Sequence, residues 1–146
     1  MNKVDPIPAG FHTITPYLIS RDARKALEFL KAGLGAEVLS SHESPTGRIV
    51  NAELRIGNSM VMMGEEQPGA SDRAKAMLYL YVKDCDALHE QAVQAGAKKI
   101  MPPTDMFYGD RAGAVEDADG NQWWIATRKE NLSAEELTRR TAQAGK

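Results

Sequence analysis

The chain has 146 residues, 42% of them apolar, and carries 18 basic against 20 acidic side chains for a formal net charge of −2. That length suits one domain or two small modules sharing a core, and the interspersed charges argue against nucleic acid or an anionic membrane surface as partner. No leading apolar stretch reads as a signal peptide, no run of about 18 apolar residues reads as a membrane span, and the single Cys85 has no disulfide partner within the chain, so a cytoplasmic location is expected by default.

Thr13 to Ser20 reads as a strand in which Pro16 lacks an amide donor, which points to an edge, a bulge or a strand end. Asp22 is the expected N-cap of a helix running to Leu34, with Ala26, Leu27, Leu30 and Leu34 at helical spacing and Gly33 and Gly35 as its stop. A strand follows from Ala36 to about His42, then a hairpin: Arg48 to Ile56, a Gly57-Asn58 turn, and Ser59 to Met63. In that hairpin Val50, Ala52, Leu54 and Ile56 should share one face and Asn51, Glu53 and Arg55 the other. Residues 65–75, with Gly, Pro and Ser and no apolar period, read as a linker.

The pattern then starts again. Ala76 to Val82 reads as a strand, Asp84 to Ala95 as a helix with Leu88, Ala92 and Ala95 on its apolar face, and Lys99 to Met101 as a short strand. A last hairpin joins Ala112–Glu116 to Gln122–Thr127, with Asp119, Gly120 and Asn121 expected to supply positive φ. Its adjacent Trp123 and Trp124 should face opposite sides of the sheet, one serving the core. Ser133-Ala-Glu-Glu136 reads as a capping box opening a helix to about Gln143.

Asp84 follows Asp22 by 62 residues, Gly96 follows Gly35 by 61, and Arg111 and Gly120 follow Arg48 and Gly57 by 63. A duplicated βαβββ unit explains a near-constant offset that turn chemistry alone does not. The expected fold is α+β: paired βαβββ modules, about 12–64 and 76–128, forming curved mixed sheets around a cleft within one domain, with a C-terminal helix at about 133–143.

These modules resemble the vicinal oxygen chelate superfamily, which includes glyoxalases, extradiol dioxygenases, fosfomycin-resistance enzymes and bleomycin-binding proteins. The blocks Thr-Pro-Tyr-Leu (15 to 18), Gly-Arg-Ile-Val-Asn-Ala-Glu-Leu-Arg-Ile-Gly (47 to 57), Tyr-Gly-Asp-Arg (108 to 111), Asp-Gly-Asn-Gln-Trp-Trp-Ile-Ala-Thr (119 to 127) and Ser-Ala-Glu-Glu-Leu (133 to 137) resemble its PhnB-like branch. The resemblance implies four metal-ligand positions, which fall here on Thr15, Met62, Met77 and Trp124. None is a usual ligand of a divalent cation, and the branch's frequent histidines are replaced by Asn51 and Arg128, so no metal cofactor is expected. It also implies a homodimer.

If those positions mark the cleft side, alternation adds Thr13, Tyr17, Asn51, Glu53, Arg55, Met60, Tyr79 and Tyr81, an aromatic and thioether wall with a few polar groups. The same side chains would otherwise fill the core. Glu53 is the candidate general base or cation-receiving carboxylate, unless it pairs with Arg55 or Arg48. Arg111 is the candidate anion-binding fork, unless it pairs with Asp110 or Glu116. Glu116 and Asp117 are expected in solvent, as is His89, while Cys85 is expected to be buried.

Two functions compete. In the first, the protein binds or sequesters a small, partly aromatic or cationic organic molecule without the usual metal centre. In the second, it is a lyase, isomerase or dioxygenase, either with a metal held by substitutes such as His42 and Glu53, or by acid-base chemistry with Glu53 as base and Tyr79 or Tyr81 as donor.

Overall fold

The computed structural model describes residues 3–70 and 72–145. They form β1 (Tyr17–Ser20), α1 (Ala23–Leu34), β2 (Glu37–Glu43), β3 (Ile49–Ile56), β4 (Ser59–Glu65), β5 (Met77–Tyr81), α2 (Cys85–Gln94), β6 (Lys98–Asp105), β7 (Asp110–Glu116), β8 (Gln122–Arg128) and α3 (Ala134–Ala144). The fold is α+β, with two compact units, Met1–Lys75 and Ala76–Lys146. Each holds a four-stranded mixed sheet, ordered β1-β4-β3-β2 in the first and β5-β8-β7-β6 in the second. In both, the opening strand pairs parallel to the last one and the other pairings are antiparallel. The repeated topology is what the duplicated βαβββ unit requires. Among the described residues no helix is long and apolar enough to cross a membrane.

The helices start alike. The Asp22 and Asp84 carboxylates accept from Lys25 N–H (3.2 Å) and Ala87 N–H (3.1 Å). The first helical N–H is then taken by the end of the module's last strand: Ala23 donates to Glu65 Oε1 (3.1 Å) and Cys85 to Thr127 Oγ1 (2.9 Å). Two of the donors that every helix start leaves unpaired are thereby satisfied, and each helix is tied to its own sheet.

In the first unit α1 buries Ala23, Leu27, Leu30 and Leu34, and the strands bury Leu18, Ala52, Leu54, Val61 and Met63. A fully buried Leu such as Leu30 contributes about 2 kcal/mol by leaving water. Val50 does not join them. Between His42 and Glu43 the register slips so that two β3 residues oppose one on β2, and the bulge turns Val50 outward and puts Ile49 in its place in the core. The first strand is also shorter than its sequence pattern, beginning at Tyr17 because Pro16 has no N–H to give; its carbonyl still accepts from Met62 N–H (2.9 Å).

In the second unit α2 buries Cys85, His89 and Ala92, and of the expected apolar face Ala92 is buried while Leu88 and Ala95 are half-buried, so the inward face also takes in His89. His89 is buried, not exposed: its Nε2 lies 3.0 Å from Met101 O, a pure acceptor, so Nε2 carries the hydrogen. The ring fits because position 113 is glycine; a Cβ there would stand 2.8 Å from the His89 ring and 2.9 Å from the Pro103 nitrogen. The strand expected over Lys99–Met101 extends across Lys98–Asp105. Two register slips and an edge position accommodate Pro102 and Pro103.

The last turn uses one positive φ, at Gly120 (84°), and none at Asp119 or Asn121. Asp117 makes that unnecessary. Its Oδ1 accepts from Asp119 N–H (2.9 Å) and Asn121 N–H (3.0 Å), and its Oδ2 from Asn121 Nδ2 (3.2 Å) and Trp123 Nε1 (2.9 Å). The residue is therefore half-buried and structural, as Glu116 is half-buried, where solvent exposure was expected for both. Trp123 is buried with Val115 and Ile125, and Trp124 faces the other side. In α3, Ser133 Oγ accepts from Glu136 N–H (3.1 Å), but the Glu136 carboxylate is engaged by Arg139 and Arg140.

Asp117→Ala should lower stability by about 2–3 kcal/mol, since it strands the amides and the indole N–H that it now satisfies; a lower urea midpoint at unchanged slope is the expected result. Gly113→Ala should cost about 1–3 kcal/mol in the same assay, because the added methyl meets backbone as well as the His89 ring.

Candidate functional site

One helix per sheet leaves the opposite sheet face without a helical cover in each unit. On the first sheet that face carries Tyr17, Met62 and Glu53, aligned across β1, β4 and β3 by register. The Tyr17 hydroxyl donates to Val50 O at the bulge (3.4 Å) and accepts from Asn51 Nδ2 (3.3 Å). Its ring can lie over β4 because residue 64 is glycine; a Cβ there would be 2.8 Å from the hydroxyl. Thr15 precedes the strand and is half-buried. Met60 is buried and belongs to the core.

Glu53 is half-buried, and among the described residues it has no hydrogen bond or ion pair. Its two expected partners are engaged elsewhere: Arg55 Nη2 donates to Glu37 Oε2 (2.7 Å) and Arg48 Nη1 to Glu65 O (3.1 Å).

On the second sheet the corresponding face is aromatic. Met77, Tyr79 and Tyr81 alternate along β5, and Tyr79 and Tyr81 pair with Trp124 and Ala126 of β8. Both tyrosines reach across β8 to Asp110 on β7, whose Oδ2 accepts from Tyr79 OH (2.9 Å) and Tyr81 OH (3.0 Å). Ala126, fully buried, is the small residue beneath the rings. The Tyr79 and Tyr108 hydroxyls are 3.2 Å apart, and the Tyr79 and Tyr81 rings are tilted at 57° with centroids 5.3 Å apart. Asp110 is 3% exposed, whereas Tyr79 and Tyr81 are 38% and 62% exposed. The carboxylate thus sits under rings whose outer surfaces remain open.

Burial, followed by the Tyr108 and Asp110 hydrogen bonds, pushes the Tyr79 phenol far above its ordinary value. For Tyr81 the Asp110 hydrogen bond is the main cause of a rise that the Arg128 charge partly opposes. Both hydroxyls therefore stay protonated at neutral pH and donate to Asp110, which makes them weak proton donors to anything else.

Arg111 is on the other side. Its Nε and Nη2 clasp Asp86 of α2 (2.7 and 2.9 Å), and Nη1 reaches Asp105 (3.2 Å), so its partners are neither Asp110 nor Glu116. An open depression of about 500 Å³ borders Arg111, Asp105, Lys129 and Glu130, but the Arg111 fork is already engaged. Cys85 is buried at the start of α2. Asp110, Tyr108 and Arg128 are the members of the aromatic face that sequence reasoning missed as a group. The available signal was period-two alternation: extending β7 back from Ala112 by two residues puts Asp110 on the face of Ala112 and Ala114.

Of the four positions at which the resemblance implies metal ligands, Met62 and Trp124 stand opposite Tyr17 and Tyr79 in matching register, and Thr15 and Met77 each lie two residues before those tyrosines. A neutral hydroxyl, two thioethers and an indole do not fit a hard or borderline divalent cation. Among the described residues no group of three or more His, Cys, Asp or Glu side chains gathers to hold a metal ion.

A family model described as the Glyoxalase/Bleomycin resistance protein/Dioxygenase superfamily matches residues 10–125. An uncharacterized protein of Mycobacterium tuberculosis is 28% identical over 134 residues, covering 85% of this chain and 79% of its own length. Among solved structures, TioX from Micromonospora sp. ML1 is similar with a TM-score of 0.69 at 24% identity, covering 79% of this chain and 97% of that one. The PhnB protein from Bacillus cereus has a TM-score of 0.64 at 13% identity, covering 80% and 99%. At these identities the structures speak for the fold alone.

Asp110→Asn should bring both phenols back toward ordinary titration in the near ultraviolet, Tyr81 more fully than Tyr79, because burial still acts on the latter. Since both phenols are raised above the ordinary 10.0, the stability they contribute is complete below that value and is lost as the pH climbs past it. Wild-type protein should accordingly lose stability above about pH 10 more steeply than the variant, measured by urea unfolding across alkaline buffers.

Proposed function

The chain belongs to the Glyoxalase/Bleomycin resistance protein/Dioxygenase superfamily, and on that premise we propose that it binds a small, partly aromatic organic molecule on the Tyr79, Tyr81 and Trp124 face without a divalent metal centre. The observation that carries this reading is the pair of exposed tyrosine rings pinned through their hydroxyls to buried Asp110. Ring positions fixed before a ligand arrives reduce the ordering cost of binding, and flat, rigid rings offer large contact area. Met77 beside them is exposed, and thioethers adapt to irregular aromatic partners. The blocks quoted above favour the PhnB-like branch.

A second reading has one specific support. Glu53, half-buried, shares its sheet face with Tyr17 and Asn51 and has no ion pair among the described residues, which leaves its carboxylate available as a general base in a lyase or isomerase reaction. Tyr79 and Tyr81 are poor choices for the matching acid, because Asp110 already holds their protons.

Calorimetric titration with a panel of neutral and charged naphthalene derivatives tests the binding reading. At least one should bind saturably at one site, and Tyr81→Ala should weaken it about tenfold, in keeping with the value of an aromatic contact plus its buried area. No saturable binding by any member, or full binding by Tyr81→Ala, would overturn it.

A further inference from the structure

We propose that Arg128 is the anion-receiving group of the aromatic face, and that the ligand is a planar aromatic or heteroaromatic carboxylate whose ring lies on Tyr79 and Tyr81. This rests on the binding reading above and goes beyond it by fixing the ligand's charge and the place where that charge is met.

Two charged side chains, Asp110 and Arg128, stand beside the exposed rings, and they differ in what a ligand can reach. Asp110 is 3% exposed, and its Oδ2 already receives two tyrosine hydroxyls. A cation reaching Oδ2 would compete with those donors, and Oδ1 already faces the positive Arg128 guanidinium at 4.0 Å. Arg128 is the opposite case, with a side chain 62% exposed. It is the direct cross-strand partner of Asp110 and continues the row Trp124, Ala126, Arg128 along one face of β8. Its Nε stands 4.0 Å from Asp110 Oδ1, close enough for attraction and too far for a hydrogen bond.

The other arginines with assigned partners show the contrast. Arg24, Arg48, Arg55, Arg73, Arg111, Arg139 and Arg140 each donate at least one hydrogen bond. Arg128 donates none to a described residue, so its planar fork of five N–H groups is available. Asp110 holds that guanidinium near the rings without consuming it. Its charge is felt at the Tyr81 hydroxyl, which places it within interaction range of the ring edge.

A carboxylate matches this fork with two parallel N–H···O bonds, and an aromatic ring conjugated to it lies in the same plane, so stacking and pairing can be satisfied together. The other acidic group on this face of β7, Glu116, lies six residues from Asp110, roughly 20 Å along the strand, and does not compete.

The test is calorimetric titration of the full chain with naphthoate, naphthamide and naphthylmethylammonium, which share a ring system and differ in charge. Wild type should prefer naphthoate over naphthamide by about tenfold and bind the ammonium weakest, with a preference that shrinks as salt rises. Arg128→Gln should erase the preference for the carboxylate over the amide, and Arg128→Lys, which keeps the charge but not the fork, should keep only part of it. Circular dichroism should show all three proteins folded alike, as expected for an exposed side chain. Equal affinity for naphthoate and naphthamide, tighter binding of the ammonium, or a preference that survives Arg128→Gln would each overturn the role of Arg128 while leaving an aromatic binding face in place. Binding of none of the three would remove both readings.

Discussion

A four-stranded sheet has two faces, and each sheet of this protein has a single helix to cover one of them. That constraint governs where everything else goes. The covered faces hold the aliphatic and indole core, Leu18, Leu54, Val61 and Met63 under α1, and Trp123, Val115 and Ile125 under α2. The uncovered faces hold the phenols, thioethers, amide and carboxylate. Each helix is tied to its sheet at its first turn, by an aspartate cap and by a side chain from the last strand, so helix and strand order form one mechanical unit in each copy of the repeat.

Most of the fold was legible because it is written in period and punctuation. Asp22 and Asp84 announce the helices, the 62-residue offset announces the duplication, and the Trp123-Trp124 pair announces a strand with two distinct faces. What was not legible came from relations between strands. The bulge that exchanges Val50 for Ile49 depends on how β2 meets β3, and a perfect alternation in β3 gives no hint of it. The burial of His89 depends on Gly113, distant in sequence, having no side chain. Length was misjudged in β6 because two prolines look like an end, while at a sheet edge they can be carried.

The site divided in the same way. Its aromatic members were readable from alternation along β5 and β8, while its organising group was not, since Asp110 lies two strands from the tyrosines it holds. Arg111 and Asp110 are neighbours in sequence and point to opposite faces, so the residue that looked like an anion receptor serves the helix and its neighbour serves the rings. Charge at this site is layered. A buried carboxylate receives two phenolic hydroxyls on one oxygen, and an exposed guanidinium stands 4.0 Å from the other; the inner charge positions and the outer one is accessible.

The neighbouring tryptophans also give the second unit an optical standard and a probe in one strand. Trp123 is sealed in the core with its indole N–H held by Asp117, and Trp124, its Cα about 3.8 Å away across one peptide bond, is half-buried on the aromatic face with its N–H held by Gln122. A water-borne quencher reaches the second ring and not the first, so the emission separates into a fixed blue component and a variable one. Occupancy of the face can then be read against an internal reference that no ligand touches, without attaching a dye to the protein.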